Sequence, residues 1–227
     1  MATNWDFHID GFLPEDGYAG TLVGRIWRPD VEGPSVVSIR ESGVVDITAA
    51  APTMSALTNA DDPVALAGSD GEGLGDLRAI AANSVAESRD TTKPWFLSPA
   101  DLHAHKACGV TFVRSLLERV IDERTSGDPA LAEEVRKELL DSIGIDLSDV
   151  VPGSDEAETV KSALLDRDMW SQYLEVGIGP YAEVFSKAQP MSSVGFGAEI
   201  GIHPMSTWNN PEPEVVLVGN ATGQIVG

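Results

Sequence analysis

Two glutamates separated by a proline, Glu212-Pro213-Glu214, form the pattern in this chain with the clearest chemical meaning. They lead into the apolar run Val215-Val216-Leu217-Val218. In an extended chain, residues i and i+2 point to the same side, so both carboxylates can converge on one cation. The proline fixes φ and lacks an N–H, which stiffens the pair at the entrance of a strand. All-oxygen ligation suits Mg²⁺, Mn²⁺ or Ca²⁺. The spacing by itself also fits a solvated strand face.

Other residues that could take part in catalysis or metal binding lack a supporting sequence pattern. His103 and His105 fall in a segment predicted to be helical from Ser98-Pro99 onward, where positions i and i+2 diverge. We therefore expect them on a helix surface rather than at a metal ion. Ser192-Ser193 lacks the Gly-x-Ser-x-Gly elbow of serine hydrolases. Cys108 precedes an apolar run and is expected to be a small buried hydrophobe.

The helices and strands predicted around these residues indicate an α+β protein in three parts. Residues 1–97 form a small N-terminal region with β-strands, 98–168 a helical middle with a lid-like helix, and 169–227 the start of a mixed, β-rich domain. The strands are predicted from short β-branched runs, which occur at 21–27, 36–40 and 44–47. After Met169, glycines and prolines interrupt the helical period and favour strands and loops.

The helical middle is predicted from apolar residues at helical spacing. Three helices are expected, at 115–124, 128–142 and 155–167. Each has an apolar stripe that is expected to face the core, made of Leu116, Leu117, Val120 and Ile121 in the first helix, Leu131, Val135 and Leu139 in the second, and Val160, Leu164 and Leu165 in the third.

The composition excludes several classes of partner. The 227 residues include 36 acidic and 15 basic side chains, which gives a net charge of −21. Such a charge opposes binding to nucleic acids and to anionic membranes, and it is compatible with hard cations. A single cysteine excludes an intrachain disulfide and a cysteine-based zinc cluster. Neither a signal peptide nor a membrane-spanning run is recognisable, so we expect a cytoplasmic, soluble protein.

The C-terminal residues predict an interrupted hairpin. Val215-Val216-Leu217-Val218 is expected to be a strand, Asn220-Ala221-Thr222-Gly223 a turn, and Gln224-Ile225-Val226-Gly227 the beginning of the returning strand. The first strand is expected to lack one neighbour, with exposed apolar residues around it. We therefore expect the chain to be the N-terminal part of a longer protein.

Four motifs, in order along the chain, resemble the fumarylacetoacetate hydrolase family. Gly109-Val110-Thr111-Phe112, followed by Glu118-Arg119, resembles the stretch that opens the family's active-site lid. Ala182-Glu183-Val184-Phe185-Ser186-Lys187-Ala188 is similar to its Phe-x-Lys segment, and a glycine loop follows at 194–200. The stretch from Asn209 to Val218 resembles its metal-site strand. The resemblance covers roughly residues 109–227 and is weak before them.

This resemblance implies a metal-dependent enzyme acting on 2-oxo acids or acylpyruvates. Glu212 and Glu214 would hold Mg²⁺, or Mn²⁺ or Ca²⁺, which binds the substrate and stabilises an enolate. The resemblance places the third carboxylate ligand, an aspartate, beyond Gly227. This chain alone is therefore expected to be inactive, and the complete protein to be a homodimer.

The choice of reaction depends on two positions. Family hydrolases carry a His-x-x-Glu pair on the lid, whereas this chain reads Ser115-Leu116-Leu117-Glu118, and serine is not a base at neutral pH. Glu183, four residues before Lys187, matches an acid of the family's sugar-acid dehydratases. We therefore favour a lyase that dehydrates a 2-keto-3-deoxy sugar acid.

The resemblance assigns catalytic roles to Glu118, Glu183 and Lys187, and substrate contacts to Ser115 and Arg119. The alternatives are a C–C bond hydrolase acting on acylpyruvate-like or fumarylacetoacetate-like substrates and a fragment without catalytic activity. Glu183 and Lys187 would then be no more than a solvated pair on a strand.

Overall fold

A computed structural model of the chain describes residues 12–109, 113–143, 150–166, 168–170, 172–181, 183–207, 209 and 213–227. At some helical positions it describes the backbone alone. These residues fall into two compact units. Unit 1 comprises the described parts of Met1–Ala104 and Ala188–Gly227, and unit 2 those of His105–Lys187. The chain is a mixed α+β protein with antiparallel sheets, which confirms the predicted class. The predicted boundaries at 97/98 and 168/169 stay predictions.

Unit 1 is built on a five-stranded antiparallel sheet in the order β4-β3-β2-β1-β5. The first three strands follow β-branched runs and confirm the three strands predicted in this region. Glu41 and Ser42 connect β2 to β3, with Arg40 opposite Gly43. The strands are β1 (Leu22–Arg28), β2 (Gly33–Arg40), β3 (Gly43–Asp46), β4 (Glu72–Gly75) and β5 (Trp95–Leu97).

Both faces of this sheet are covered. Val36 and Val37 are neighbours in β2, point to opposite faces and are 2% and 0% exposed. Val37 belongs to an apolar cluster with residues of α3 (Leu77–Asn83), whereas Val36 packs with residues of α1 (Met54–Thr58). A third short helix, α2 (Pro63–Ala67), begins at a proline. The sheet therefore carries an apolar layer on each side.

Unit 2 is mainly helical. Its helices are α4 (Val113–Thr125), α5 (Pro129–Ile143), α6 (Asp155–Leu165) and α7 (Gln172–Ile178), and its short strands β6 (His105–Cys108) and β7 (Val184–Ala188) pair with each other. The first three helices confirm the sequence prediction. Their apolar cluster includes Val120, Ile121, Val160 and Leu164. The prediction of a core position is wrong for two residues, since Leu131 and Leu165 are 50% and 52% exposed.

Two predicted elements are replaced by others. No helix begins at Ser98-Pro99, because the carboxylate of Asp101 caps α1 instead of its own segment, and His105 lies in strand β6. After Met169, α7 stands where strands were predicted. Leu174 and Ile178, four residues apart, are 0% and 2% exposed, and their burial outweighs the cost of Gly177 within the helix.

The C-terminal residues form a turn without the predicted strand. The amide of Val226 donates to the carbonyl of Val218 at 2.8 Å, and Asn220–Gly223 makes the connecting turn. Residues 215–217 are not paired in a strand and are 92%, 77% and 65% exposed. Among the described residues, no helix combines the length and apolar character that crossing a bilayer requires.

Candidate functional site

The predicted metal ligands are only partly described. Glu212 lies outside the described residues, and Glu214 has an exposed side chain in unit 1. Within the described ranges, no three or more His, Cys, Asp or Glu side chains form a group that could hold a metal ion. An ion bound at Glu214 would therefore depend on Glu212 and on further oxygen ligands.

Glu183 and Lys187 lie in unit 2, with exposed side chains. Glu183 directly precedes β7, and its backbone carbonyl accepts a hydrogen bond of 2.8 Å from the amide of Gly109. Lys187 lies on β7 with its ammonium 6.0 Å from the ring centre of Phe185. The β-pairing thus anchors their backbone near Gly109, the first residue of the predicted lid motif.

Glu118 connects two helices of unit 2. Both of its carboxylate oxygens accept hydrogen bonds from Arg136 on α5, at 2.9 Å to Nε and 2.6 Å to Nη2. Arg136 also donates to Glu133 at 2.8 Å. The Glu118 carboxylate, and then that of Glu133, raise the pKa of Arg136 further above its ordinary value. Ser115 and Arg119 lie on α4, but the structure does not describe their side chains.

The histidines differ from expectation. Nε2 of His103 is 3.0 Å from the hydroxyl oxygen of Thr58, and its Nδ1 is 3.6 Å from the carboxylate of Asp101. The order Asp–His–Thr resembles a catalytic triad, but 3.6 Å is too long for a hydrogen bond. Thr58 is buried and donates to the carbonyl of Met54 at 2.9 Å. The geometry therefore indicates a structural link rather than a nucleophile.

Cys108 also differs from the sequence prediction. It was expected to be buried, and it is exposed. It lies in β6, a short strand paired with β7, where side chains alternate between the two faces. Its position in a two-stranded sheet, in which both strands are edges, explains the difference.

Asp101 is the centre of the polar structure in unit 1. It is 3% exposed, and its carboxylate accepts from the amides of Met54 at 2.7 Å and Ser55 at 3.0 Å, at the beginning of α1. The same carboxylate lies 3.7 Å from Nε of Arg25, which is 7% exposed. Nη1 of Arg25 donates to the carbonyl of Ser98 at 3.1 Å. A buried acid and a buried arginine thus compensate each other and fix the chain after β5.

A second buried arginine, Arg28, is the last residue of β1. It donates to Asp30, to Asp46 at 2.8 Å and to Glu72 at 2.9 Å. These bonds, that of Asp30 first, raise the pKa of Arg28 further above its ordinary value. Burial raises the pKa of Asp46, but hydrogen bonds from Thr48, from Ser35 and from Arg28 outweigh it, so the net shift is downward. This network holds β1, β3 and β4 together.

A cleft of about 250 Å³ opens in unit 1 beside β5. Arg25, Arg89 and Trp95 contribute polar and aromatic groups to its walls, and Ser98 and Ser193 contribute hydroxyls. The two hydroxyl oxygens are 2.6 Å apart, although the residues are 95 positions apart in the sequence. No sequence pattern could have paired them, because only the fold brings the two segments together.

Arg89 and Trp95 form the aromatic side of the cleft. The guanidinium carbon of Arg89 lies 5.1 Å from the ring centre of Trp95, and Trp95 stacks on Trp27 with the ring centres 5.8 Å apart. Nη2 of Arg89 donates to the carbonyl of Ser84 at 2.5 Å. This cation–π arrangement orients the guanidinium while engaging few of its five N–H donors.

The glycine loop noted in the sequence borders the same cleft. A Cβ atom at Gly195 would lie 2.5 Å from the carbonyl oxygen of Phe96. Gly197 has a φ of +71°, and a Cβ atom there would lie 2.7 Å from the carbonyl oxygen of Ser84. The carbonyl of Gly197 accepts from the amide of Ala86 at 2.9 Å. Glycine is required at both positions because the loop backbone contacts β5 and the end of α3 directly.

No family model, curated protein or solved structure matches this chain.

The structure thus distributes the predicted residues over both units and adds a cleft that the sequence did not reveal. Glu118, Glu183 and Lys187 belong to unit 2, whereas Glu214 belongs to unit 1. None of them lines the cleft. The cleft residues were missed because arginine, tryptophan and serine carry no periodic signal, and the glycine loop was the one feature that pointed to this region.

Proposed function

We propose that the protein is a metal-dependent lyase that dehydrates a 2-keto-3-deoxy sugar acid. The observation that carries the proposal is the order of four motifs: the lid stretch from Gly109, the Glu183–Lys187 segment, the glycine loop at 194–200, and Glu212-Pro213-Glu214. Each motif is common by itself, whereas their order and spacing together resemble the fumarylacetoacetate hydrolase family. The finer fold assignment, a catalytic domain of that family beginning near residue 169, is part of the same proposal.

Glu212 and Glu214 would hold the divalent ion in this proposal. Their carboxylates are hard oxygen donors, and the exposed side chain of Glu214 is accessible to an ion from solvent. A bound Mg²⁺ would polarise the 2-oxo group of the substrate and so make the neighbouring C3 proton more acidic. The other ligands would come from the substrate, from water and from a further carboxylate.

Glu183 and Lys187 are assigned the proton transfers. A carboxylate can remove the C3 proton, and an ammonium can bind the substrate carboxylate or protonate the leaving hydroxyl. Their exposed side chains, on and next to a paired strand, support this assignment because both groups are accessible while their backbone is held in place. In the proposed reaction Ser115 and Arg119 contact the substrate.

Glu118 can take part in two ways. The resemblance makes it a catalytic residue of the lid, whereas its two hydrogen bonds to Arg136 favour a positioning role that holds α4 on α5. Glu118→Gln and Arg136→Gln distinguish these roles. A catalytic Glu118 predicts a loss of kcat in the first variant alone, and a positioning role predicts similar losses in both, with a reduced free energy of unfolding.

The test of the function uses the natural full-length polypeptide with Mg²⁺ and a set of five- and six-carbon 2-keto-3-deoxy acids. We expect loss of one water, detected by mass spectrometry, and loss of activity on chelation with EDTA. Glu214→Gln should abolish the activity, and Glu183→Gln should lower kcat by about 10²–10⁴-fold, the usual contribution of a general base. Glu41→Gln, an exposed change in the β2–β3 turn, is the matched control.

Three outcomes would contradict the proposal. Cleavage of an acylpyruvate to pyruvate, without turnover of any 2-keto-3-deoxy acid, would make the protein a hydrolase. Undiminished activity of Glu214→Gln would end the metal assignment. Absence of turnover and of Mg²⁺ binding would indicate a protein without catalytic function.

A further inference from the structure

The cleft of unit 1 has a charge opposite to that of the chain. The protein has 36 acidic and 15 basic side chains, yet the described residues that line this cleft include Arg25 and Arg89 and no aspartate or glutamate. The carboxylate of Asp101, 3.7 Å from Nε of Arg25, compensates the charge of Arg25. For Arg89, the described residues offer no carboxylate within ion-pair distance. A cleft of this kind attracts a small anion from solution.

Arg89 has unused hydrogen-bonding capacity. One N–H is bound to the carbonyl of Ser84, and Nε is buried without an acceptor among the described residues. A guanidinium carries five N–H donors in a planar fork that fits a carboxylate. Because a buried donor without a partner is unfavourable, an arriving anion that reorients Arg89 would gain from both charge and hydrogen bonding.

The two serines add a neutral donor. The hydroxyl oxygen of Ser98 accepts from the amide of Ala100 at 3.3 Å and lies 2.6 Å from the hydroxyl oxygen of Ser193. Either hydroxyl can donate across this contact, and the hydrogen of the other one then remains available to an acceptor in the cleft. Arginine and hydroxyl donors together suit an oxygen anion.

The remaining walls are apolar and the volume is small. Trp95, Phe96 and Leu97 come from β5, and Met191 and Val194 come from the segment that follows β7. The volume of about 250 Å³ is below the range of about 300–1,000 Å³ that is usual for drug-sized ligands. Such walls favour an anion that carries a small flat apolar group over a fully hydrated inorganic ion.

We infer that this cleft binds a small monocarboxylate with a planar apolar body. Its carboxylate would contact Arg89 and the Ser193 hydroxyl, and its body would lie among Trp95, Met191 and Val194. The inference does not depend on the proposed dehydratase function, because the described side chains assigned to that reaction, those of Glu118, Glu183, Lys187 and Glu214, do not line the cleft. The glycine loop at 194–200 is the feature that the two proposals share.

The test is a titration of the 227-residue chain with benzoate in the presence of EDTA, followed by ligand-detected NMR and calorimetry. Benzamide, a neutral molecule of the same shape, and inorganic phosphate are titrated in parallel. We expect saturable benzoate binding that is weakened about tenfold or more in Arg89→Ala, the effect of losing one charged hydrogen-bonding partner. Arg78→Ala, an exposed change of the same charge on α3, should leave it unchanged.

A second variant separates binding from folding. Ser193→Ala removes only a hydroxyl and should weaken benzoate several-fold while the circular dichroism spectrum and Tm remain those of the parent chain. Equal binding of benzamide, tighter binding of phosphate, or equal losses in Arg78→Ala and Arg89→Ala would overturn the inference. Absence of saturable benzoate binding to the parent chain would also overturn it.

Discussion

The two units bury different kinds of side chain. Among the described residues, the buried polar and charged side chains of unit 1 are Arg25, Arg28, Ser35, Ser38, Thr58, Ser84, Ser98 and Asp101, whereas unit 2 buries Thr125. The core cluster of unit 2 consists of apolar residues. Its described ion pairs are partly or largely exposed: Glu118–Arg136, Glu133–Arg136 and Lys161–Glu175. The interior of unit 1 therefore depends on hydrogen bonds and ion pairs as well as on apolar packing, whereas the interior of unit 2 depends mainly on apolar packing.

This difference follows from the cost of burying charge. A buried arginine or aspartate is tolerated only when its partners replace water, and each partner must be held at a defined position. Asp101 meets this condition by joining Arg25 to the first amides of α1. The cleft lies beside that network, so the unit with the most demanding polar interior is also the one that presents arginine to a ligand.

The largest expected effect, and the sharpest test of the comparison, is at Asp101. Asp101→Ala leaves the buried Arg25 without its carboxylate, and it leaves the amides of Met54 and Ser55 without their acceptor. The free energy of unfolding should therefore fall by about 3–5 kcal/mol. Asp62→Ala, which removes an exposed cap of α2 that accepts from Ala65 at 2.9 Å, is the control and should cost about 1 kcal/mol. Urea unfolding measures both, and equal losses would contradict the special role of unit 1's buried charge.

The importance of apolar packing in unit 2 can be tested at two adjacent leucines of α6. Leu164 is 0% exposed and Leu165 is 52% exposed. Leu164→Ala should lower the free energy of unfolding by about 2–5 kcal/mol because it opens a cavity in the apolar cluster, and Leu165→Ala should lower it by less than about 1 kcal/mol. If the two losses, measured by thermal and urea unfolding, were similar, the packing described for unit 2 would be wrong.

The smallest effect concerns pH in unit 1. The hydroxyl of Thr92, its amide and Lys93 lower the pKa of Asp90 from the ordinary 3.8 to about 2. Because the folded pKa is depressed, this contribution to stability is present above pH 3.8 and is lost as the pH falls towards 2. A carboxyl-carbon NMR titration should show the low midpoint, and Thr92→Val should raise it. An unchanged midpoint in that variant would exclude the hydroxyl as the main cause.

Local patterns were sufficient where burial follows the period of one element. The β-branched runs around Ile26, Val37 and Val44 became the centre of the sheet, and the apolar spacing of Val120, Ile121, Val160 and Leu164 became the core of unit 2. Local patterns gave wrong predictions where a residue far away in the sequence determined the local structure. The Ser98-Pro99-Ala100-Asp101 stretch has the composition of a helix start, but its acid caps another helix 46 or 47 residues earlier in the chain.

The net charge, the α+β class, the β2–β3 hairpin and the helices α4 to α6 could be predicted from the residues alone, because they depend on composition and on contacts between near neighbours. Three features required long-range contacts: the helical conformation of α7, the contact of Ser98 with Ser193, and the position of Arg89 on Trp95 beside a cleft. These features depend on burial and on pairs far apart in the chain. A hydrogen bond between residues 95 positions apart leaves no period for a sequence to display.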